Sequence, residues 1–272
     1  MKSAHVHFLC RLLRVLAVLS ASILPSTMSA ADSPAVTSSE WLGCKRLDFV
    51  VEGRPALLIV PNSPAPGHPW IWRTEWFGDF PQVDLALIAR GWHVGYMNVK
   101  DMYGCPRSMA LLDAYYQRVT KDYGLAPKVV MEGFSRGGLY AFNFAATWPG
   151  RVAAIYLDAP VLDLRSWPGP KHPLWAECLA SYGLTAEQMT TAKVSPIDRI
   201  EPVVRAGIPI FGVSGDADEA VSYRDNLAAL VTRYRAVGGT IEVVIKPGGK
   251  HHPHSLENPA PIVDFLLKHA TQ

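Results

Sequence analysis

The sequence predicts an α/β fold, a mostly parallel, doubly wound sheet of about eight strands. Three observations predict it. From Arg46 onward, short apolar runs rich in Val and Ile alternate with longer helical segments, the rhythm of strand–helix–strand units. The later runs are continuously apolar, as strands covered on both faces are. Gly91, Gly124 and Gly238 lie just past three of the helical segments, where a residue free to turn left-handed ends a helix.

In chain order, residues 1–31 read as a secretory signal. Lys2, Arg11 and Arg14 make its positive region, Val15 to Leu24 its apolar stretch, and Pro25 the break. Ser29, Ala30 and Ala31 then offer cleavage after Ala30 or Ala31. At roughly ten residues the apolar stretch is too short to span a bilayer. Residues 32–272 are expected as a single domain, secreted or periplasmic, with no stable membrane association once the leader is removed. The small, polar residues 31–40 read as a flexible lead-in. Strands are expected at 46–51, 56–60, 69–72, 93–99, 128–132, 153–158, 209–214 and 241–246. Glu52-Gly53-Arg54-Pro55 joins the first two as a hairpin. Helices are expected at 81–90, 109–123, 137–148, 223–237 and 261–269. Residues 163–207 break the rhythm with Pro168, Pro170, Pro173, Pro196, Pro202, Trp167 and Trp175. That stretch is too long for a plain crossover and reads as a cap-like insertion with two short helical pieces.

Composition narrows the function. The 272 residues are 49% hydrophobic and 18% charged, which excludes a disordered chain. Three of the 26 basic residues and none of the 24 acidic ones fall in the leader, so the remainder carries no excess of positive charge. That excludes the footprint of a nucleic-acid binder. Cys10 lies in the leader, which leaves Cys44, Cys105 and Cys178. An oxidising compartment would allow one bridge among them and one leftover, with the pairing open. The absence of a Cys-x-x-Cys leaves redox and zinc-ribbon readings unsupported.

The chemistry concentrates in Gly133-Phe134-Ser135-Arg136-Gly137, a G-x-S-x-G between an apolar strand and the helix opening at Gly138-Leu139-Tyr140. A serine on a tight strand-to-helix turn has strained dihedrals and needs glycines beside it. Its hydroxyl then stands clear of the sheet at a helix N-terminus. Such a hydroxyl needs a base, and the base an orienting carboxylate. Two later loops follow apolar strands and offer both: Ser214-Gly215-Asp216-Ala217-Asp218-Glu219, and Gly248-Gly249-Lys250-His251-His252-Pro253-His254. Both fall at carboxyl ends of strands, where open α/β sheets place their sites. Three nearby imidazoles could also bind zinc. No matching ligands appear elsewhere, so neither metal nor other cofactor is expected.

From Arg46 to His269 these residues resemble the α/β-hydrolase family. The resemblance implies that fold and a serine hydrolase. The family's G-x-x-D-x-x-V falls on Gly215, Asp218 and Val221, which implies Asp218 as the acid, with Asp216 and Asp158 as alternatives. Its histidine motif is similar to Gly248-Gly249-Lys250-His251, with Lys250 in place of glycine. This implies His251 as the base, ahead of His252 and His254. The oxyanion hole would take the Arg136 amide and one from Arg73-Thr74-Glu75-Trp76-Phe77-Gly78, where the family's His-Gly is missing; Thr74 is the expected donor. Arg73, Glu75 and Trp76 are then expected at the substrate, or Arg73 and Glu75 paired with each other at the surface.

Trp70, Trp72, Trp76, Phe77, Trp167 and Trp175 suggest aromatic faces for sugar rings, although Trp70 and Trp72 also fit sheet core. The Arg73–Gly78 loop, Asp101-Met102-Tyr103-Gly104 and His251-His252-Pro253-His254-Ser255 look like a secreted bacterial branch associated with polysaccharide breakdown. The leading expectation is a secreted serine esterase acting on acetyl or methyl esters of a carbohydrate or a small molecule. A peptidase of the prolyl-oligopeptidase kind ranks second, because such enzymes usually carry a large gating domain that this length cannot hold. A catalytically silent sugar-binding protein is the third reading.

Overall fold

The computed structural model describes residues 36–270. The signal-peptide reading of residues 1–31 lies outside the described residues. Nine strands form one sheet in the order β1-β2-β3-β5-β4-β6-β7-β8-β9. These are β1 (Thr37–Trp41), β2 (Cys44–Val51), β3 (Arg54–Val60), β4 (Trp70–Arg73), β5 (His93–Met97), β6 (Val129–Phe134), β7 (Val152–Asp158), β8 (Ile210–Gly215) and β9 (Ile241–Lys246). The pairs β1–β2, β2–β3 and β3–β5 are antiparallel, and every pair from β5 through β4 to β9 is parallel.

All eight expected strands are present, and β1 is the ninth. It corrects the lead-in expected at 31–40. Thr37 to Glu40 are exposed, so their polar side chains leave no apolar signature. The strand forms because its backbone pairs with β2 from Thr37–Asp48 to Trp41–Cys44 and Trp41 packs on Phe77 at 5.1 Å. Polar side chains also suit a sheet edge. The hairpin between β2 and β3 is tighter than expected: only Glu52 and Gly53 lie between the strands, both at positive φ, the two-residue turn that strand twist favours.

Helices cover both faces. On one face α2 (Pro106–Asp122), α3 (Gly137–Thr147), α6 (Ile200–Arg205) and α7 (Ala229–Ala236) bury Leu112, Tyr115, Phe144, Val203 and Tyr234 against Trp70, Trp72 and Met131. On the other, α1 (Gln82–Ile88) and α8 (Ala260–Ala270) bury Leu87, Ile262 and Phe265 against Ile71, Val130 and Phe211. The helix α2 starts three residues before its expected position, because Pro106 sits at its first turn, where a missing N–H has no cost. No described helix is long and apolar enough to cross a membrane. The three described cysteines are buried free thiols.

The insertion between β7 and β8 carries α4 (Trp175–Tyr182), α5 (Ala186–Thr191) and α6, one helix more than expected. Its own small core gathers Leu164, Cys178 and Met189 with Tyr103, Leu139 and Val221. Buried Asn226 pins its start by accepting the amides of Leu162 (2.8 Å) and Asp163 (3.1 Å).

Candidate active site

The turn after β6 shapes the site. Ser135 has φ +51°, a strained value for a residue with a side chain, of the kind that clusters at functional positions. The Ser135 amide donates to the Asp158 carbonyl (2.9 Å) and its carbonyl accepts from Gly138 (3.0 Å) and Val161 (2.8 Å), which locks the turn. The flanking glycines are there for space. A Cβ on Gly133 would come within 2.9 Å of the Gly137 backbone, and one on Gly138 within 2.7 Å of Pro160.

Three strand ends then deliver one hydrogen-bonded chain. Ser135 follows β6, Asp218 follows β8 and His251 follows β9. His251 Nε2 lies 3.0 Å from Ser135 Oγ, and His251 Nδ1 lies 2.7 Å from Asp218 Oδ2. A carboxylate cannot donate, so Nδ1 carries the proton and Nε2 keeps a lone pair for the serine. The other Asp218 oxygen accepts the amides of Ala220 (2.9 Å) and Val221 (2.8 Å), which fixes the carboxylate's orientation. Asp216 instead accepts the Gly248 amide at 2.6 Å and holds the two loops together.

The sequence left His252, His254 and Asp158 as alternatives, and the structure gives each another place. Asp158, at the end of β7, binds His254 Nδ1 at 2.6 Å and the Ser255 amide at 2.8 Å. Its second oxygen also accepts the Tyr156 hydroxyl at 3.2 Å. His254 is buried, whereas His252 is exposed and stacks on Phe80 at 6.0 Å. A cavity of about 290 Å³ opens over Ser135, lined also by Trp76, Asp79, His251, His252 and His254.

Two expectations about the β4 loop are overturned. The Thr74 amide donates to the Glu132 carbonyl at 3.0 Å, and its hydroxyl lies 2.9 Å from the carbonyls of Glu132 and Gly137. Thr74 therefore ties the loop to β6 and α3, and its N–H is taken. Arg73 is fully buried, 2.7 Å from Asp84 and 3.2 Å from Glu132, with its guanidinium over the Phe134 ring. It neither contacts the cavity nor pairs with Glu75. Burial opposes its charge, but Asp84 and Glu132 outweigh burial and raise its pKa. Burial also holds the Glu132 carboxyl well above its ordinary range, against the pull of Arg73. Glu132 is the signal that sequence reading missed: a carboxyl in the apolar run Val129-Val130-Met131-Glu132 must meet a buried cation or keep its proton, and here Arg73 stands beside it.

Glu75 is buried too, 3.3 Å from Arg136 Nε. Burial pushes its carboxyl up to about 7, while Arg136 pulls the other way. Arg136 also reaches Asp101 at 2.8 Å and lies over the Trp76 ring at 4.8 Å. Of the three residues expected at the substrate, only Trp76 lines the cavity. Trp70 and Trp72 are fully buried sheet core. The Arg136 backbone stands at the N-terminus of α3 directly after Ser135, the position expected of an oxyanion donor.

No curated protein matches the sequence significantly. Among solved structures the chain resembles a puromycin-hydrolyzing peptidase of Mycobacterium tuberculosis, with TM-score 0.62 and 15% identity over 88% of this chain and 39% of that one. It also resembles dipeptidyl peptidase 4 of Porphyromonas gingivalis (TM-score 0.64, 14% identity, 87% of this chain and 36% of that one). Est1E of Butyrivibrio proteoclasticus is similar over nearly its whole length (TM-score 0.57, 17% identity, 87% of this chain and 99% of that one). The chain therefore spans about two fifths of the length of the two peptidases. These likenesses identify the α/β-hydrolase fold. The profile of the prolyl oligopeptidase family matches residues 110–272, a stretch that holds Ser135, Asp218 and His251. The match supports the peptidase reading as well as the ester one, and the chain belongs to the prolyl oligopeptidase family.

Proposed function

We propose that the protein is a secreted ester hydrolase working through Ser135, His251 and Asp218. The observation that carries the mechanism is the unbroken chain Ser135 Oγ–His251 Nε2 (3.0 Å) and His251 Nδ1–Asp218 Oδ2 (2.7 Å) on a strained turn. Ser135 Oγ attacks the carbonyl carbon as its proton passes to His251 Nε2. The charge that develops on the carbonyl oxygen is met by the Arg136 amide, with the second donor from the Glu75–Trp76 segment in place of Thr74. His251 returns the proton to the departing alcohol, leaving an acyl-serine. Water attacks that ester with His251 again as base, and acid and free enzyme result. Asp218 stays ionised throughout and stabilises the imidazolium.

The finer proposal is an acetyl or methyl ester of a carbohydrate. Trp76 on the rim supplies one aromatic face for a sugar ring, and the sequences of the 73–78, 101–104 and 251–255 loops support the same reading. The peptidase reading stands level at the coarser scale, because the family match carries it and acyl transfer from an amide uses the same groups.

Fluorophosphonate labelling with peptide mapping tests the mechanism. An adduct on the Ser135 peptide, lost in His251→Ala, is expected; a folded protein that takes no label overturns it and leaves the sugar-binding reading. Acetylated and methyl-esterified polysaccharides run against peptidyl and aminoacyl amides then separate the two substrates. Turnover confined to the amides makes the protein a peptidase.

A further inference from the structure

We infer that the three imidazoles beside Ser135 form a site for a divalent transition metal ion, and that the ion switches the hydrolase off by taking His251. His251, His252 and His254 form a nearly regular cluster. Their ring centroids are 4.9, 4.8 and 4.7 Å apart, and each pair of rings is close to perpendicular, at 78°, 78° and 79°. Three imidazoles bound tetrahedrally at a Zn–N distance of about 2.0 Å would place their centroids roughly 5 Å apart. The ring spacing is thus already that of a three-histidine face. One ring nitrogen of each histidine lies within 4.8 Å of those of the other two, against roughly 3.3 Å between the ligand atoms of a tetrahedral ion with bonds of about 2.0 Å.

Two of the rings are oriented as metal-ligating histidines usually are. His251 donates Nδ1–H to Asp218 at 2.7 Å, and His254 Nδ1 faces Asp158 at 2.6 Å. Both carboxylates are completely buried. A carboxylate behind Nδ1 fixes the ring, leaves Nε2 unprotonated and raises its basicity. His252 is exposed and held only by ring packing on Phe80 and its neighbours, so it is free to complete the set. Asp79 lines the same cavity, and it or water supplies the fourth ligand. Imidazole-rich sites of this kind suit Zn²⁺, Cu²⁺ and Ni²⁺.

The consequence follows from one lone pair. His251 Nε2 faces Ser135 Oγ at 3.0 Å, and the same lone pair would bind the ion. A bound metal therefore removes the base from the serine. The ion is an inhibitor in this scheme, and the hydrolase cycle needs none.

Binding does not depend on the protein being a hydrolase, whereas inhibition does, so the test measures each separately. Untagged Ser135→Ala protein, which cannot turn over, is titrated with Zn²⁺ by calorimetry and with Co²⁺ by visible absorption. One equivalent bound, with the strong bands of four-coordinate cobalt, is expected. His252→Ala should weaken Zn²⁺ binding at least tenfold. In protein with Ser135 intact, Zn²⁺ should slow fluorophosphonate labelling or ester turnover, and His252→Ala should shift the inhibiting concentration up by the same factor, each rate being taken relative to the same protein without metal. No binding, or binding indifferent to His252→Ala, overturns the site. Binding without loss of labelling overturns the switch while the site stands. Absence of labelling in metal-free protein contradicts the hydrolase reading and leaves the titration to decide the site alone.

Discussion

Two histidine–aspartate pairs stand side by side in this molecule and differ in what lies beyond the imidazole. His251 and Asp218 are 2.7 Å apart, His254 and Asp158 2.6 Å, and both carboxylates are fully buried. Each aspartate also accepts backbone amides that hold it in place: Ala220 and Val221 for Asp218, Ser255 for Asp158. Yet His251 reaches a strained serine at 3.0 Å, while the His254 ring lies among Phe80, Phe134 and the other two imidazoles. A histidine–carboxylate pair is thus a motif of order, and a third group makes it a catalytic one.

The sharpest way to break the comparison is to remove the serine-facing pair. Ser135→Ala, His251→Ala and Asp218→Asn should each lower kcat by about 10⁴-fold, with the thermal midpoint little changed in Ser135→Ala. The same loss in His254→Ala, measured as the initial labelling rate, would show that the two pairs are not distinct.

Titrations in the β4 loop and in β5 bear on any stability comparison. Burial lifts the Glu75 carboxyl to about 7, so the folded protein keeps a proton that the unfolded chain releases above its ordinary 4.5. Its contribution is full below that value and is lost as pH rises to about 7. Burial lowers the His93 imidazole from 6.5 to about 4, so its contribution is full at neutral pH and is lost as pH falls through that window. The two slopes oppose each other over most of the mildly acidic range. In denaturant titrations Glu75→Gln should make stability rise more steeply with pH than in the wild type across that range, and an unchanged profile would contradict the raised Glu75 carboxyl.

At about pH 8, above both windows, His254→Ala should cost about 2 kcal/mol, because a buried carboxylate loses a charge-assisted partner but keeps the Ser255 amide and the Tyr156 hydroxyl. Urea denaturation measures it, and a cost as small as that of a surface change would demote the pair to a packing contact. The smallest effect is expected at Asp216→Asn. Asp216 accepts one exposed amide, that of Gly248, so turnover should stay within about threefold of wild type and stability within ~0.5 kcal/mol. A large loss of kcat would move the orienting role from Asp218 to Asp216.

How far the sequence reached depends on the range of the forces involved. The eight strands from β2 to β9, the face-covering helices and the serine turn were legible because each rests on local pattern: apolar runs, terminal glycines, and glycines around Ser135. The acid and the base were legible as two loops, and the resemblance picked Asp218 and His251 within them. Strand β1 was not legible, since polar residues on an exposed edge carry no apolar signature and its hydrogen bonds are all to a neighbour. The roles of the β4 loop were not legible either. Arg73, Thr74 and Glu75 are consecutive polar residues, yet their partners are Asp84 and Glu132, the carbonyls of Glu132 and Gly137, and Arg136.

By itself the sequence determined the architecture and the chemical type of the site, because strand and helix periodicity and the steric demand of a serine turn are set within a few residues of the chain. Only the tertiary structure decided which amide of the β4 loop is already bonded, which carboxyls Arg73 meets, and which of three adjacent histidines faces the serine and which faces Asp158. Those choices rest on ion pairs and hydrogen bonds between residues far apart in sequence, from the 33 positions between Asp218 and His251 to the 116 between Ser135 and His251. Such bonds exist only once parallel strands have brought their carboxyl ends to one edge of the sheet.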